Sequence, residues 1–229
     1  DAEETYQDMQ RFQVHSHGIV HFGIPPMLEA YLFPDFFTKF RNSHPHITLD
    51  VQEYGDSLEV RSRIGTGDLD FGILLDEEGS EDDHTMPVMR DYMSLCVNEE
   101  HPLAAQSEAS FRQLKDEKFI MQHQNTFQYR GVYERCVAQG FTPDILLCTA
   151  QLKTIKQLVA NKMGISILPD FVTRTETIFK RIPLNPAFAV GVYLHWGEHK
   201  ILSDTDQKFL GFMKKYIATA DFKKHFKQN

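Results

Sequence analysis

Two separated segments, residues 45–75 and residues 148–171, constrain this chain more than any other feature, because each reads as strand, polar turn, amphipathic helix, glycine and strand. In the first, Ile47, Leu49 and Val51 alternate with polar residues, and Gly55-Asp56-Ser57 turns the chain. Leu58, Arg61 and Ile64 then mark a short helix, and Leu69-Asp70-Phe71-Gly72-Ile73 returns as a strand. In the second, a strand over residues 145–149 leads to a helix striped by Leu152, Ile155, Leu158 and Val159, and residues 164–169 form the return. Units of this kind place ligands at the carboxyl ends of their strands, where helix starts present backbone N–H groups. Two such units, far apart in sequence, predict a cleft between two α/β bodies.

The rest of the chain fits around them. A strand over residues 18–24 meets Pro25-Pro26, and a helix over residues 27–42 carries Leu28, Tyr31, Leu32, Phe36 and Phe40 at helical spacing, with Phe33 and Phe37 on an adjoining face that a partner surface could cover. Strands are expected over residues 84–89, 92–98, 119–121 and 190–196. A helix begins at Thr126, turns Val132, Tyr133, Cys136 and Val137 inward, and stops at Gly140-Phe141-Thr142-Pro143. The closing helix, residues 202–219, opens with Ser203 and, three residues on, Asp206, a capping-box-like start. It has no βαβ partner beyond it, so it returns to the first half. That gives a discontinuous subdomain I, residues 18–89 with 192–229, and an inserted subdomain II, residues 90–191, with crossings near residues 89–92 and 189–192.

Charge and composition exclude several functions. At a net charge of −8 the chain lacks the clustered Lys and Arg that phosphate backbones require, apart from a terminal group at Lys223, Lys224 and Lys227 that reads as a solvated helix end. The acidic run over residues 76–83 lacks EF-hand spacing and is expected to be a mobile surface loop. His15, His17 and His21 have no carboxylate or cysteine at metal-ligand spacing, so neither a metal nor another cofactor is expected. Gly65-Thr66-Gly67 follows a helix instead of opening one, no GxSxG, P-loop or HExxH occurs, and no catalytic constellation emerges. Cys96, Cys136 and Cys148 form no CxxC pair, which fits free thiols in a reducing cytoplasm. No apolar run spans a membrane, and the polar residues 1–12 are not a secretion signal.

Several patterns in fixed order carry a resemblance: residues 23–45 from Gly23-Ile24-Pro25-Pro26 onward, Gly67-Asp68-Leu69-Asp70, Glu100-His101-Pro102-Leu103, Gly140-Phe141-Thr142-Pro143, and Leu158-Val159-Ala160 followed by Gly164-Ile165-Ser166-Ile167-Leu168-Pro169. Over about residues 18–217 the chain resembles the effector-binding domain of LysR-type transcriptional regulators. The resemblance implies two Rossmann-like subdomains of the type II periplasmic-binding-protein kind, joined by two crossover strands. It also implies an amino-terminal winged helix-turn-helix that is not in this chain and through which promoter DNA is bound, with residues 1–17 as the remnant of the linker helix.

Candidate ligand contacts follow from the strand-to-helix turns. Pro25-Pro26-Met27 opens the first helix, and the prolines remove N–H donors that an anion could use. Many family members carry Ser or Thr where Met27 stands, so a less polar wall is expected there, while Ser57 matches a family position that often bears a ligand-contacting hydroxyl and also suits a helix cap. From the other side come His123, Gln124 and Thr126 before one helix, and Thr149, Gln151 and Lys153 at the start of another. Polar residues in these places also serve as caps, and Lys153 also suits an exposed helix face. As the one cation near these turns, Lys153 would pair with a carboxylate.

The expectation is therefore a ligand-sensing and oligomerisation domain, not an enzyme, binding a small metabolite, an organic anion, between its subdomains. It would assemble as a homodimer or homotetramer, with the apolar first helix at the interface. The alternative is a solute-binding protein of a transport system with the same fold.

Overall fold

The computed structural model describes residues 18–55 and 57–224. The expected linker-helix remnant, His15, His17 and Lys227 lie outside the described residues. In chain order the elements are β1 (Gly18–Ile24), α1 (Pro26–Leu32), α2 (Phe36–Ser43), β2 (Ile47–Glu53), α3 (Ser57–Thr66), β3 (Phe71–Glu77), β4 (Thr85–Val97), β5 (Lys118–Met121), α4 (Phe127–Ala138), β6 (Asp144–Cys148), α5 (Leu152–Ala160), β7 (Ser166–Pro169), α6 (Asp170–Thr173), β8 (Lys180–Trp196), α7 (Asp204–Ala218) and α8 (Ala220–Lys224).

β1 lies between β2 and β3, parallel to both, and its Val20, Phe22 and Ile24 are fully buried. Side chains of β3 alternate between two cores: Phe71, Ile73 and Leu75 enter the main one, whereas Leu74 joins Val60, Ile64 and Leu69 on the opposite face. α3 covers that second face. Its buried residues are Val60 and Ile64, while Leu58, one of the residues that marked the helix, is 50% exposed. Gly72 is required beneath it, because a Cβ there would collide with Val60.

The single helix expected over residues 27–42 is two. Pro34 has no N–H and disfavours helical geometry in the residue before it, and Phe33 leaves the helix at φ −126° and ψ 38°. The break swings Phe33, Phe36 and Phe40 onto α7 and α8. Phe33 stacks on Tyr216 at 6.0 Å between ring centres, and Phe36 meets Tyr216 edge-on at 5.1 Å. The apolar excess expected to await a partner is therefore largely covered by the chain itself; Phe33 is 1% exposed. α7 begins at the Ser203 cap as expected, the Ser203 hydroxyl and the Asp206 carboxylate each accepting the other's backbone N–H.

Two long antiparallel strands, β4 and β8, run through the middle of the molecule and complete a six-stranded sheet in the order β2-β1-β3-β8-β4-β7. The two strands expected over residues 84–98 are one continuous strand with register shifts at Pro87/Met89 and Met93/Ser94. β8 begins ten residues before the expected strand at 190, its prolines notwithstanding: Pro183 sits opposite Ser94 at one of those shifts, and its carbonyl accepts from the Ala109 amide at 2.9 Å.

β5 and β6 pair in parallel, and Ile165, just before β7, bonds to the other side of β5 through Ile120 N–H to Ile165 O and Ile165 N–H to Lys118 O, both 2.8 Å. A second α/β layer thus grows from the far ends of β4 and β8. α4 starts at the Thr126 cap and stops at Gly140, whose φ of +82° suits glycine. Val137, expected to face inward, is 50% exposed, and Gln128 takes a buried place on that helix at 1% exposure.

Candidate functional site

The strands of both α/β layers end toward a cavity of about 120 Å³. From the first layer, Pro25, Pro26, Met27 and Leu28 line it as the start of α1, Gly55 and Ser57 as the turn into α3, and Leu75 from β3. From the second come Gln122 and His123 after β5, Thr126, Phe127 and Gln128 at the start of α4, and Ala150 before α5. This is the place at which doubly wound sheets hold ligands.

Of the residues singled out in the sequence, Pro25, Pro26, Met27, Ser57, His123 and Thr126 meet at the cavity. Gln124, Thr149, Gln151 and Lys153 do not line it: Gln124 lies beside the Tyr129 hydroxyl, Thr149 accepts the Gln151 N–H at 3.1 Å, and Gln151 and Lys153 are exposed. The lining residues sequence reasoning missed are the apolar Leu28, Leu75 and Phe127, the small Ala150 and Gly55, and the amides Gln122 and Gln128. Nothing local marks a buried glutamine as a wall of a cleft.

Most polar groups here are committed. The Thr126 hydroxyl donates to His123 O at 2.7 Å while accepting from Tyr129 N–H. Gln128 accepts from Gln122 N–H at 3.0 Å and donates to Ile167 O at 2.9 Å, so it ties β5, α4 and β7 together. Leu28 N–H and Glu29 N–H both donate to Pro25 O, and Pro26 has no N–H to give. The Ser57 hydroxyl and the Gln122 side-chain amide have no hydrogen-bond partner among the described residues.

A charged cluster at Lys156 connects the layers, and a second, at Asp91, lies on the long strand β4. Lys156 on α5, 4% exposed, donates to Tyr31 Oη on α1 at 2.9 Å, and to Val172 O and the Glu176 carboxylate at 2.5 Å each. Asp91 on β4, also 4% exposed, accepts Phe171 N–H at 2.7 Å and pairs with Arg174 at 3.3 Å. Burial raises the Asp91 carboxyl to about 6 despite those donors. Nearer the other end of β8, burial lowers the His195 imidazole to about 4, with Arg61 acting in the same direction.

Among the described residues no group of three or more His, Cys, Asp or Glu could hold a metal ion. Burial pushes all three thiols up, Cys136 to about 12, away from the thiolate that reactive cysteines need. Among the described residues, no helix is long and apolar enough to cross a membrane.

Comparison with known proteins places this architecture. Residues 14–218 match the family model for the LysR substrate binding domain. The HTH-type transcriptional regulator YwbI of Bacillus subtilis is 30% identical over 204 residues, covering 87% of this chain and 67% of that protein. The hydrogen peroxide-inducible genes activator of Haemophilus influenzae is 23% identical over 172 residues, 75% of this chain and 57% of its own length. Among solved structures, the CcmR regulatory domain of Synechocystis PCC6803, in complex with 2-PG, superposes with a TM-score of 0.77 at 20% identity, covering 89% of this chain and 99% of that one. The reduced OxyR regulatory domain of Pseudomonas aeruginosa does so with a TM-score of 0.69 at 18% identity, over 89% and 98%. The chain spans between about half and three quarters of the curated relatives it matches. A match over nearly the whole chain, onto two α/β layers joined by paired crossover strands, shows that this chain belongs to the LysR substrate binding domain family, the effector-binding part of LysR-type regulators.

Proposed function

We propose that the cavity between the two α/β layers is the effector site of this regulator domain, and that its occupancy sets the relative angle of the two subdomains. The observation that carries this reading is that both layers supply walls, Met27 and Ser57 from one and Gln122 and Phe127 from the other, so a ligand touching both favours one angle over another. A domain of this fold is known with a small molecule, 2-PG, in the CcmR complex. Among the described residues, 18–89 with 192–224 form one subdomain and 90–191 the other, with the hinge where Asp91 faces Val190. The angle is passed through a homo-oligomer to DNA-binding segments outside this chain, in the cytoplasm, and no reaction is catalysed.

Small-metabolite screening by thermal shift tests this, using the chain and an Ala150→Trp variant that plugs the cavity at an exposed lining position. A ligand at about 100 times its dissociation constant stabilises the fold by roughly 2.7 kcal/mol, which is several degrees at this size. The reading requires that shift to vanish in Ala150→Trp; an undiminished shift would place the effector elsewhere.

A further inference from the structure

The lining of the cavity specifies the chemistry of what enters it. Among the described residues no Lys or Arg lines the cavity; the sequence candidate, Lys153, is exposed and away from it, and the buried Lys156 spends its donors on Tyr31, Val172 and Glu176. Among the described residues, the lining side chain able to carry positive charge is His123, which is exposed.

The α1 wall is equally unsuited to a full negative charge. Its first turn opens on two prolines, and the Leu28 and Glu29 amides are already bonded to Pro25 O at 2.9 Å and 3.1 Å, which leaves the Met27 N–H as the single amide of that turn, too little to offset a buried charge. What remains is an apolar enclosure of Met27, Leu28, Leu75 and Phe127, with the Ser57 hydroxyl and the Gln122 amide as uncommitted groups that can both donate and accept. A carboxylate there would lose its water without gaining a cation, whereas a carbonyl, amide or hydroxyl is matched by Ser57 and Gln122. The volume, about 120 Å³, compares with the roughly 150 Å³ of a dry apolar cavity that admits benzene.

We propose that the effector is a small uncharged molecule, an apolar ring or branched aliphatic body carrying one neutral hydrogen-bonding group, and not an organic anion. This rests on the effector-site reading above and adds the ligand's chemical class.

Probe pairs of equal outline and different charge test it: benzamide against benzoate, and isobutyramide against isobutyrate, each titrated to a concentration on the order of 10 mM, as suits fragments. The readout is the methyl resonance of Met27 in protein labelled at methionine methyls, assigned with the conservative Met27→Leu variant. The amides are expected to shift that resonance saturably, the carboxylates to bind at least about tenfold more weakly because their charge is buried uncompensated, and Ser57→Ala to weaken the amides severalfold. Carboxylates binding as tightly as the amides would overturn the uncharged class while leaving the cavity as the effector site. No perturbation by any of the four probes would overturn both.

Discussion

The ammonium of Lys156 lies 2.9 Å from the Tyr31 hydroxyl, a hydrogen bond that joins α5 in one subdomain to α1 in the other, one turn beyond the cavity. The Tyr31 ring also meets Phe171 edge-on at 6.5 Å. Tyr31→Phe keeps the ring contact and removes the bond, so it is expected to cost about 0.5–1.5 kcal/mol and a few degrees of melting temperature. Lys156→Met leaves Glu176 without its partner and should cost more, about 3 kcal/mol. Differential scanning calorimetry reads both. Equal melting temperatures for Tyr31→Phe and the parent would mean that this bond does not hold the subdomains together.

Two buried groups with large shifts oppose each other in the stability between pH 4 and 6. Folded Asp91 keeps its proton to about pH 6, whereas an unfolded aspartate gives it up near 3.8, so the folded state binds more protons in that window and stability falls as pH rises. His195 is lowered to about 4 from 6.5, so the unfolded state binds more protons between those values and stability rises with pH. His195→Gln should expose the falling slope and Asp91→Asn the rising one, each up to about 3 kcal/mol across its window. Urea unfolding at a series of pH values checks the signs, and variants that slope in the same direction would refute the assignment.

Phe209 on α7 is the centre of the aromatic core, with ring centres at 4.8 Å from Phe71, 5.3 Å from Phe22 and 5.8 Å from Phe40. It is fully buried. Phe209→Ala is expected to cost about 3–5 kcal/mol, a fall in melting temperature of order 10 °C. A loss below about 1 kcal/mol would show that α7 packs independently of the sheet.

The thiols should be inert in the folded protein. Cys96 and Cys136 are buried and Cys148 is half-buried, and all three are held protonated by burial. A disulfide-exchange reagent at pH 8 is expected to modify Cys148 slowly and the other two only in denaturant, with no disulfide formed by peroxide. Rapid native-state modification of Cys96 or Cys136 would contradict the packing around them.

What was legible in the sequence lay in local patterns. The Ser203 and Thr126 caps, the stop at Gly140 and the parallel strand-helix-strand order each depend on residues a few positions apart, and each is present. The first ten residues of β8 were not legible, because Pro183 and Pro186 mark a turn locally and only the pairing of residues 180–183 and 188–189 with β4 carries the strand past them. The break at Pro34 had a local signal that helical spacing masked. At the cavity, residues flanking the turns were found, but Gln122 and Gln128 were not, since their place depends on Ile167 and on the opposite layer. Lys153 and Lys156 show the same limit: one helix, one exposed and one buried, decided by what α1 and α6 bring near.

The pairing of β4 with β8 also has a mechanical meaning. Because the two connections are bonded to each other edge to edge, they act as one ribbon instead of two independent tethers. A ribbon bends out of its plane far more easily than it stretches or shears, so it passes on a single rotation and resists sliding of one body past the other. Ladder interruptions at Pro87/Met89 and Met93/Ser94 bracket the stretch through Asp91. On the proposed effector-site reading, the contacts of a molecule small enough for a cavity of about 120 Å³ would be read out as an angle, with the displacement growing in proportion to distance from the ribbon.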